Sequence, residues 1–559
     1  MNDIRRTILW VVFAFSSVLL WDKWQIHNGK PATFLPTPTP AASSQTVSVK
    51  KDVGRDVPTP SSSLTGAASA PVAAVSPATI SSAVQQSAAL VVLTTDVLKL
   101  SIDPAGASIV RAEFLKHLDL NERSRNFVLL DRTAERKYFV QSGLIGGNFP
   151  NHNTAMSFAG ETELKPGAHE LSVRFESPEL DGVKLVKTLT LRRGAYEVAV
   201  KHEIINRGSM AVSPQIYLQL VRDGTPPKGE SWLYFTFTGP AVYTEAKKFQ
   251  KVEFSDIEKG KATFESKADN GYVAMVQHYF ATAWLLADKT PREIFLRKID
   301  DGLYAAGLIT GVDSVAAGAS KTHEAQLYVG PQEEKRLEAL AIGLELVKDY
   351  GWLTILAKPL YWLLDKLHGV LQNWGWSIVA LVVLLKIAFY WLNAQAYRSM
   401  AKMKAINPKI MEMRERLKGS PQQMQQEMMR IYREEKVNPM GGCFPILVQI
   451  PVFIALYWVL LSSVEMRNAP WILWIGDLSA PDPWYILPVL MTATTMLQTW
   501  LNPKPPDPMQ AKLMWYMPLI FSVMFFFFPA GLVLYWITNN VLSIAQQWMI
   551  NKRLGVLGK

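Results

Sequence analysis

One basic side chain interrupts a strongly apolar stretch of the sequence. Lys386 lies in the run VALVVLLKIAFYWL, residues 379–392, where no other side chain is charged. An ammonium ion inside a membrane costs about 2.5 to 3.5 kcal/mol on insertion scales, so a helix that keeps one needs a reason. One interpretation is that the lysine stem reaches the headgroups, about 9 Å along the helix axis. The other is that Lys386 is functional through its charge, in a polar cavity.

Polar side chains in other apolar segments favour the second interpretation. Gln449 comes early in one segment, and two later segments carry polar residues at helical spacing on one face: Thr492, Thr495 and Thr499, then Asn539, Ser543 and Gln546. Their oxygens suit the three N–H donors of an ammonium. Such residues also join helices in membrane bundles by hydrogen bonds. Hydrogen bonding between helices alone does not explain why the segments contain a cation but no acidic residue. We therefore predict that polar faces of several helices converge on one cavity.

The composition indicates a membrane part and an aqueous part. Of 559 residues, 49% are hydrophobic, and the formal net charge is +10. The single cysteine, Cys443, excludes an intramolecular disulfide and a cysteine-based zinc site. There is no Walker loop, no GxSxG motif and no HExxH pair. We therefore expect no catalytic residue, no metal site, no cofactor and no enzymatic activity.

Six apolar segments approach the roughly 20 residues that a spanning helix needs. They are residues 8–20, 376–392, 444–461, 484–501, 514–528 and 531–548. Basic residues before the first segment, in the loop 393–443 and in the C-terminal tail mark these parts as cytoplasmic, whereas the loop 462–483 is acidic in balance. The first segment is similar to a secretory signal, but no small-x-small cleavage site follows it, so an uncleaved anchor is favoured over a cleaved signal. The sequence predicts six crossings with both termini in the cytoplasm.

A large β domain is predicted between the first two crossings. Residues 31–87 are rich in Pro, Ser, Thr and Ala and indicate a tether without a core. From residue 89 to 330, apolar and polar residues alternate, and LVKTLTL and YEVAVKHEI, joined through Arg193 and Gly194, indicate a hairpin. The pattern predicts an antiparallel β-sandwich in the periplasm. We expect a structural or docking role there rather than sugar or peptide binding.

The basic loop is predicted to form an antiparallel helical hairpin. Apolar residues recur at steps of three and four on both sides of Gly419, Ser420 and Pro421. They are Met403, Ile406, Ile410, Met413 and Leu417 before the break and Met424, Met428 and Ile431 after it. In one interpretation the methionines pack only against each other. In the other they also contact varied apolar partners, and the basic faces meet lipid headgroups or RNA.

These segments together define eight predicted parts. They are an N-terminal transmembrane anchor (1–27), a disordered Pro/Ser/Ala-rich periplasmic tether (28–88), a periplasmic β-supersandwich (89–331), a linking helix with an interfacial amphipathic helix (332–372), the second crossing (373–394), the cytoplasmic hairpin (395–443), the third to sixth crossings (444–550) and a basic cytoplasmic tail (551–559). The predicted fold class is a polytopic α-helical membrane protein with a large periplasmic antiparallel β domain.

Four stretches of the apolar half resemble a known family. They are NWGWSIVALVVLLKIAFYWLNAQAYRSMAKM, KVNPMGGCFPILVQIPVFIALYWVL, DPWYILPVLM and FPAGLVLYWITNNVLSIAQQ, and they look like successive signatures of the YidC/Oxa/Alb family of membrane protein insertases. The anchor, tether and β domain resemble its Gram-negative bacterial members. The resemblance implies a groove that helps nascent proteins enter and fold in the bacterial inner membrane, alone or with the Sec translocon. It also implies contact with the bilayer, the ribosome and the signal-recognition pathway, without recognition of a specific nucleic-acid sequence.

The resemblance also implies residue roles. A positive residue, usually arginine, occupies the groove position that falls on Lys386; lysine keeps the charge but lacks the planar fork. Further groove positions fall on Gln449 and on Thr538, Asn539 and Asn540, and the polar stripe adds Thr495. Tyr535 and Trp536 fall where the family contacts passing clients. The alternatives are a secondary transporter of a small solute and an anchored periplasmic enzyme.

Overall fold

The computed structural model describes residues 58, 89–119, 122, 124–227, 236–417, 419–435, 444–502 and 508–553. The predicted anchor (1–27) and almost all of the tether (28–88) lie outside the described residues, as do residues 554–559 of the tail. The described residues up to Asp349 form one compact unit, here called the β unit, and those from Tyr350 onward form a second, the helical unit.

The β unit contains two antiparallel sheets of nine described strands each, as a β-sandwich requires. Their orders are β1-β2-β3-β4-β5-β10-β17-β16-β13 and β12-β11-β14-β15-β18-β9-β8-β7-β6. The strands are β1 Val91–Thr94, β2 Leu98–Asp103, β3 Ser108–Leu118, β4 Asn126–Arg132, β5 Lys137–Ile145, β6 Ser157–Gly160, β7 Glu170–Glu176, β8 Val183–Arg192, β9 Glu197–Asn206, β10 Gln215–Asp223, β11 Gly239–Thr244, β12 Lys248–Lys251, β13 Lys267–Ala268, β14 Tyr272–Gln277, β15 Phe280–Leu285, β16 Arg292–Asp300, β17 Leu303–Gly311 and β18 Ser320–Pro331. Two short helices, α1 Phe254–Glu258 and α2 Glu334–Leu340, complete the unit.

Period-two alternation explains the outer strands. In β7 the side chains of Leu171, Val173 and Phe175 are buried and the intervening ones are exposed. The predicted hairpin is confirmed: β8 pairs with β9, and Gly194 in the connection has φ +70°, a conformation that glycine adopts without strain. Inner strands such as β14 are buried on both faces and therefore do not alternate.

Eight described helices of at least 14 residues form the helical unit. They are α3 Thr354–Leu371, α4 Trp374–Ala388, α5 Tyr390–Arg416, α6 Pro421–Glu434, α7 Phe444–Ser462, α8 Ile486–Leu501, α9 Pro508–Phe525 and α10 Ala530–Arg553. Helix α10 packs against α4, α5 and α8, and α3 packs against α4 and α7. Their shared core includes Leu381, Leu456 and Val533, each at most 1% exposed.

Membrane-span criteria give a mixed result over the described residues. No helix there is by itself both long and apolar enough to pass, but the bent pair Trp374–Ala388 and Tyr390–Met403 passes together, with 68° between its arms. Shorter apolar helices cover Gln449–Ser462, Ile486–Leu501 and Ala511–Phe525.

The predicted continuous helix over residues 376–392 is wrong at Phe389. This residue has φ −94° and ψ 11°, so α4 ends at Ala388 and α5 begins at Tyr390. Nothing in the run itself, which has no proline or glycine, marks the break. Lys386 therefore lies in the last turn of α4, not six residues before the end of a longer helix.

The apolar seam of the hairpin is confirmed. Ile406, Ile410 and Met413 of α5 are buried together. The residues packed against them include Met403, Leu417, Met424, Met428 and Ile431, which are the predicted seam positions. Ion pairs from Lys409 to Glu435 (2.5 Å) and from Arg416 to Glu427 (4.0 Å) connect the two helices across the seam.

Candidate functional site

The start of α4 is fixed by one side chain. Asn373 accepts a hydrogen bond from the Trp376 N–H (3.0 Å), which caps the helix, and donates to the carbonyl of Trp471 (3.2 Å). Gly375 allows close approach, since an added Cβ would lie 2.4 Å from Trp471 Cγ. The helix therefore begins at a fixed point and ends at Ala388, with Lys386 in its last turn.

A cavity surrounds Lys386 between α4, α5, α7 and α10. It encloses about 420 Å³, a volume that includes its open mouth. Its lining residues are Val382, Leu385, Lys386, Phe389, Leu392, Asn393, Gln449, Val452, Tyr535 and Asn539. The wall is mostly apolar, with a few amide and hydroxyl groups and one cation, as is common for sites that bind a ligand by shape and a few polar contacts.

Hydrogen bonds organise the polar side of the cavity. Lys386 Nζ donates to Ser543 Oγ at 2.7 Å, and Ser543 Oγ donates to the carbonyl of Asn539 at 2.7 Å. Gln449 Nε2 donates to Asn539 Oδ1 at 2.6 Å, and Gln449 also bonds the hydroxyl of Tyr535. Helices α4, α7 and α10 are thereby joined through the groups that the sequence singled out.

The charge of Lys386 lacks a counter-ion among the described residues. No carboxylate there forms an ion pair with it, and one of its three N–H donors is used by Ser543. An ammonium in these surroundings attracts carboxylates, because the low dielectric weakens screening. Within the described residues, no three His, Cys, Asp or Glu side chains are arranged to hold a metal ion.

Three predicted groove residues lie away from this cavity. Asn540 is buried and its Nδ2 donates to Thr495 Oγ1 (2.9 Å), which joins α10 to α8. Thr495 donates in turn to the carbonyl of Met491 (2.8 Å). Thr538 donates to the carbonyl of Leu534 (2.9 Å) in its own helix. The prediction of one convergent cavity is therefore corrected: the polar face of α8 forms a second cluster with α10.

The two aromatic residues predicted to contact clients differ in their surroundings. Tyr535 is 3% exposed and lines the cavity. Trp536 is partly buried, and its ring meets Phe453 edge-on at 4.7 Å and Phe525 at 5.2 Å. Tyr535 thus belongs to the cavity wall, whereas Trp536 lies between α7 and α9.

Sequence reasoning missed Asn393 as a cavity residue. It is 8% exposed and lies in the first turn of α5, beyond the apolar run. A signal was present, because residues seven apart share a helical face and Asn393 follows Lys386 by seven positions. The bend at Phe389 alters that geometry, but both side chains still reach the same cavity.

Two family models together match most of the chain. A family model described as the YidC periplasmic domain matches residues 90–363, and one described as 60Kd inner membrane protein matches residues 366–556. The chain is 53% identical over 557 residues to the membrane protein insertase YidC of Cupriavidus necator, covering 99% of this chain and 98% of that one. It is 50% identical over 562 residues to that of Burkholderia cenocepacia, covering 100% and 99%. A solved structure of an active YidC insertase matches with 18% identity and TM-score 0.39, covering 82% of this chain and 92% of the other.

Proposed function

Because the chain belongs to the YidC family of membrane protein insertases, a bacterial inner membrane family with a periplasmic domain, we propose that it inserts nascent membrane proteins and helps them fold. The observation that carries the proposal is the Lys386 cavity, which combines an ammonium without a described counter-ion, neutral amides and an apolar wall. No covalent bond is made or broken, and no cofactor takes part.

The Lys386 ammonium has a role for acidic clients. The hydrophilic tail of a client must cross the apolar membrane, and a polar groove that opens to the cytoplasm shortens that path. The ammonium attracts acidic tail residues and retains water, while Gln449 and Asn539 supply neutral hydrogen-bonding groups. The attraction is moderate, since strong pairing would trap the client. Thr495 and Asn540 support the groove from the neighbouring cluster, and Thr538 supports it from within α10.

Burial of the client's apolar segment in lipid drives the process. At roughly 25 cal/mol per Å² of apolar surface removed from water, one spanning segment gains far more than its tail costs. Tyr535 and Trp536 on α10, next to α7 and α9, guide that segment from the groove into lipid. The insertase lowers a barrier and needs no ATP.

The proposed topology has six crossings and cytoplasmic termini. Residues 1–27 form the first crossing, 28–88 the tether, and 89–331 the periplasmic β domain. Residues 332–372 connect to the membrane, where α3 lies in the interface with the exposed side chains of Ile355 and Trp362 in the headgroup region. Residues 373–394 and 444–550 supply the other crossings, 395–443 form the cytoplasmic hairpin, and 551–559 form the tail.

The proposed partners follow from the family and from the apolar residues of the hairpin seam. Nascent membrane proteins and the bilayer are the primary ones, with the Sec translocon and its accessory subunits, the ribosome and the signal-recognition pathway as assisting machinery. The methionines of the hairpin seam, Met403, Met413, Met424 and Met428, with Ile410, adapt to varied apolar clients when the hairpin moves.

Insertion into liposomes tests the role of Lys386. The full chain is reconstituted with a small single-span client that has an acidic tail, and protease protection of that tail is measured. We expect Lys386→Arg to retain activity, whereas Lys386→Gln and Lys386→Leu lose most of it, because only arginine keeps the charge. Lys201→Gln, which removes an exposed charge on β9, is the matched control.

A second client separates charge attraction from general groove function. Replacing the acidic tail residues by their amides removes the groups that Lys386 attracts, so the variants should then insert this client equally well. If the unsubstituted protein and the three Lys386 variants inserted the acidic client equally well, the proposed role of the charge would be contradicted. Solute counterflow in the same liposomes would instead support the transporter alternative.

A further inference from the structure

The bend between α4 and α5 has no cause within its own sequence. The arms Trp374–Ala388 and Tyr390–Met403 meet at 68°, yet residues 379–392 contain neither proline nor glycine. Sharp kinks without these residues arise where another side chain intervenes in the helical hydrogen bonding. Helix α10 packs against both arms, so its side chains are the place to look for what holds the bend.

Ser543 of α10 contacts both arms through one oxygen. Lys386 in the last turn of α4 donates to Ser543 Oγ at 2.7 Å, and the hydroxyl of Tyr397, on α5, is also hydrogen-bonded to Ser543. The serine hydroxyl itself donates to the carbonyl of Asn539 at 2.7 Å. A hydroxyl has one donor and two acceptor positions, so Ser543 can donate to Asn539 and still accept from Lys386.

Gln546, one helical turn further on, is hydrogen-bonded to the residue directly after the break. Its Nε2 donates to the carbonyl of Tyr390, the first residue of α5, at 3.2 Å. Gln546 is 8% exposed, so this bond is largely shielded from water. Side chains of α10 thus bond the end of the first arm, the start of the second arm and a point two turns along it.

The bond to Ser543 also decides where the ammonium lies. A lysine stem is flexible, and an ammonium near the end of an apolar helix tends to extend toward the membrane surface. A charge-assisted hydrogen bond is stronger than a neutral one and opposes that movement. The bond to a fixed oxygen on α10 keeps the ammonium at the cavity wall.

We infer that Ser543 is a positioning residue that holds the ammonium of Lys386 in the cavity and links it, through Tyr397, to the first helix of the hairpin. The inference rests on the proposed insertase function and names the residue that positions the Lys386 ammonium for that function. Because Lys386 and Tyr397 share the oxygen of Ser543, a movement of α5 changes the position of the ammonium. The hairpin thereby adjusts the groove to a client.

A distance measurement tests the link without any client. Spin labels replace the exposed residues Met411 on α5 and Val541 on α10 in a Cys443→Ser background, and pulsed electron paramagnetic resonance reads their separation in the full chain in liposomes. We expect Ser543→Ala and Tyr397→Phe to broaden or shift the distance distribution. Ser543→Thr, which keeps the hydroxyl, should retain the original one.

A matched serine controls for loss of a hydroxyl. Ser522 on α9 is buried and donates to the carbonyl of Leu519 (2.8 Å) in its own helix, so Ser522→Ala should leave the distribution unchanged. Distributions that are identical in Ser543→Ala and the unsubstituted protein would overturn the link to the hairpin.

Insertion of the acidic client tests whether Ser543 acts through Lys386. We expect Ser543→Ala to lower insertion by about tenfold, the factor that loss of one hydrogen bond to a charged group costs, and Ser543→Thr to restore it. In a Lys386→Gln background, Ser543→Ala should cause no further loss. An equal loss in both backgrounds would show that the serine acts independently and would overturn the inference. If the unsubstituted protein inserts no client, the proposed function fails, and the distance measurement alone decides the link.

Discussion

In the β unit, Lys187 on β8 lies opposite His202 on β9, and His202 lies opposite His323 on β18. Lys187 Nζ donates to the carbonyls of Gly106 (2.6 Å) and Ser142 (2.7 Å), and Ser142 Oγ is 3.0 Å from His202 Nε2. Lys187 and His202 are at most 1% exposed. Three basic groups therefore form a row across three neighbouring strands, with two of them inside the sandwich.

Burial lowers the pKa values of the three basic groups in this row, which favours their neutral forms. It lowers the pKa of Lys187 from 10.5 to about 7, and a neutral amine still has the two N–H groups that its carbonyl partners accept. Burial first, and then the charge of Lys187, lowers the pKa of His202 well below its usual value. The pKa of His323 is lowered by burial and then by the charge of Arg292, against a smaller opposite effect of Glu324.

The row predicts that the β unit loses stability in acid. Each group binds its proton more weakly when folded, so the unfolded state takes up more protons and the free energy of unfolding rises with pH. For the histidines the loss begins as pH falls through about 6.5, and for Lys187 it develops between 10.5 and about 7. Hydrogen exchange of β8, β9 and β18 in the full chain, corrected for intrinsic rates, should report lower stability at pH 5.5 than at pH 8.

Two variants separate the contributions. Lys187→Met removes the amine, so the rise in stability between pH 7 and 10 should flatten while the acid loss remains. His202→Gln should reduce the acid loss. A stability that is constant or falls with rising pH in the unsubstituted protein would contradict the assigned pKa shifts.

At the scale of elements, the sequence predicted what depends on neighbours along the chain. The alternation of β7 and the hairpin from β8 to β9 follow from local period and one glycine, and the seam of α5 and α6 follows from steps of three and four. The bend at Phe389 is accompanied by a contact to a distant residue, since Gln546, 156 residues from Tyr390, donates to the Tyr390 carbonyl. No local pattern encodes such a contact, so a continuous helix was the expected result.

The site residues also divide into those that the local sequence identifies and those that depend on contacts between distant segments. Lys386 could be found because a charge in an apolar run has few explanations, and Gln449 and Asn539 were correctly grouped with it. Thr495 was wrongly grouped with Lys386. Helical spacing identifies which face of a helix is polar, but not which neighbouring helix that face contacts. The Thr495 hydroxyl donates a hydrogen bond to the carbonyl of Met491, which is common for threonine in helices. Its oxygen also accepts a hydrogen bond from Asn540.

The seam between α5 and α6 should be stabilised mainly by its central residues. Ile410 is 1% exposed, so Ile410→Ala leaves a cavity and should cost about 2 to 5 kcal/mol. Because the hairpin cluster is small, we expect local opening, seen as faster hydrogen exchange in both helices. The adjacent Met411 is 50% exposed, and Met411→Ala should change exchange little. Equal effects of both variants would show that the seam is not the source of hairpin stability.

At the scale of the whole molecule, each unit has a buried core of its own. In the β unit, Gly271 has φ +84°, and an added Cβ would lie 1.8 Å from the Tyr243 carbonyl oxygen. Gly271→Ala should therefore lower the free energy of unfolding of the β unit by more than the roughly 1 kcal/mol that the conformation alone costs. Segment-resolved hydrogen exchange should place the loss in the β unit, with the helical unit and client insertion unchanged.

Gly167 provides the control for backbone conformation. Its φ is +82°, but an added Cβ would meet no atom within 4 Å, so Gly167→Ala measures the strain without the clash. Gly271→Ala should cost clearly more than Gly167→Ala. A parallel loss of protection in α4 or α10 would contradict the independence of the two cores.

The position of β18 in its sheet affects when the β unit can complete its folding. Among the described strands, β18 lies between β15 and β9 and joins the ribbon β12-β11-β14-β15 to the ribbon β9-β8-β7-β6. It is also the last strand in chain order, so the sheet remains two separate ribbons until Ser320–Pro331 has emerged on the far side of the membrane. Pairings between segments so distant in sequence form slowly. Completion of the β-sandwich is therefore a late event in the folding of the β unit, delayed until its last described strand has been delivered.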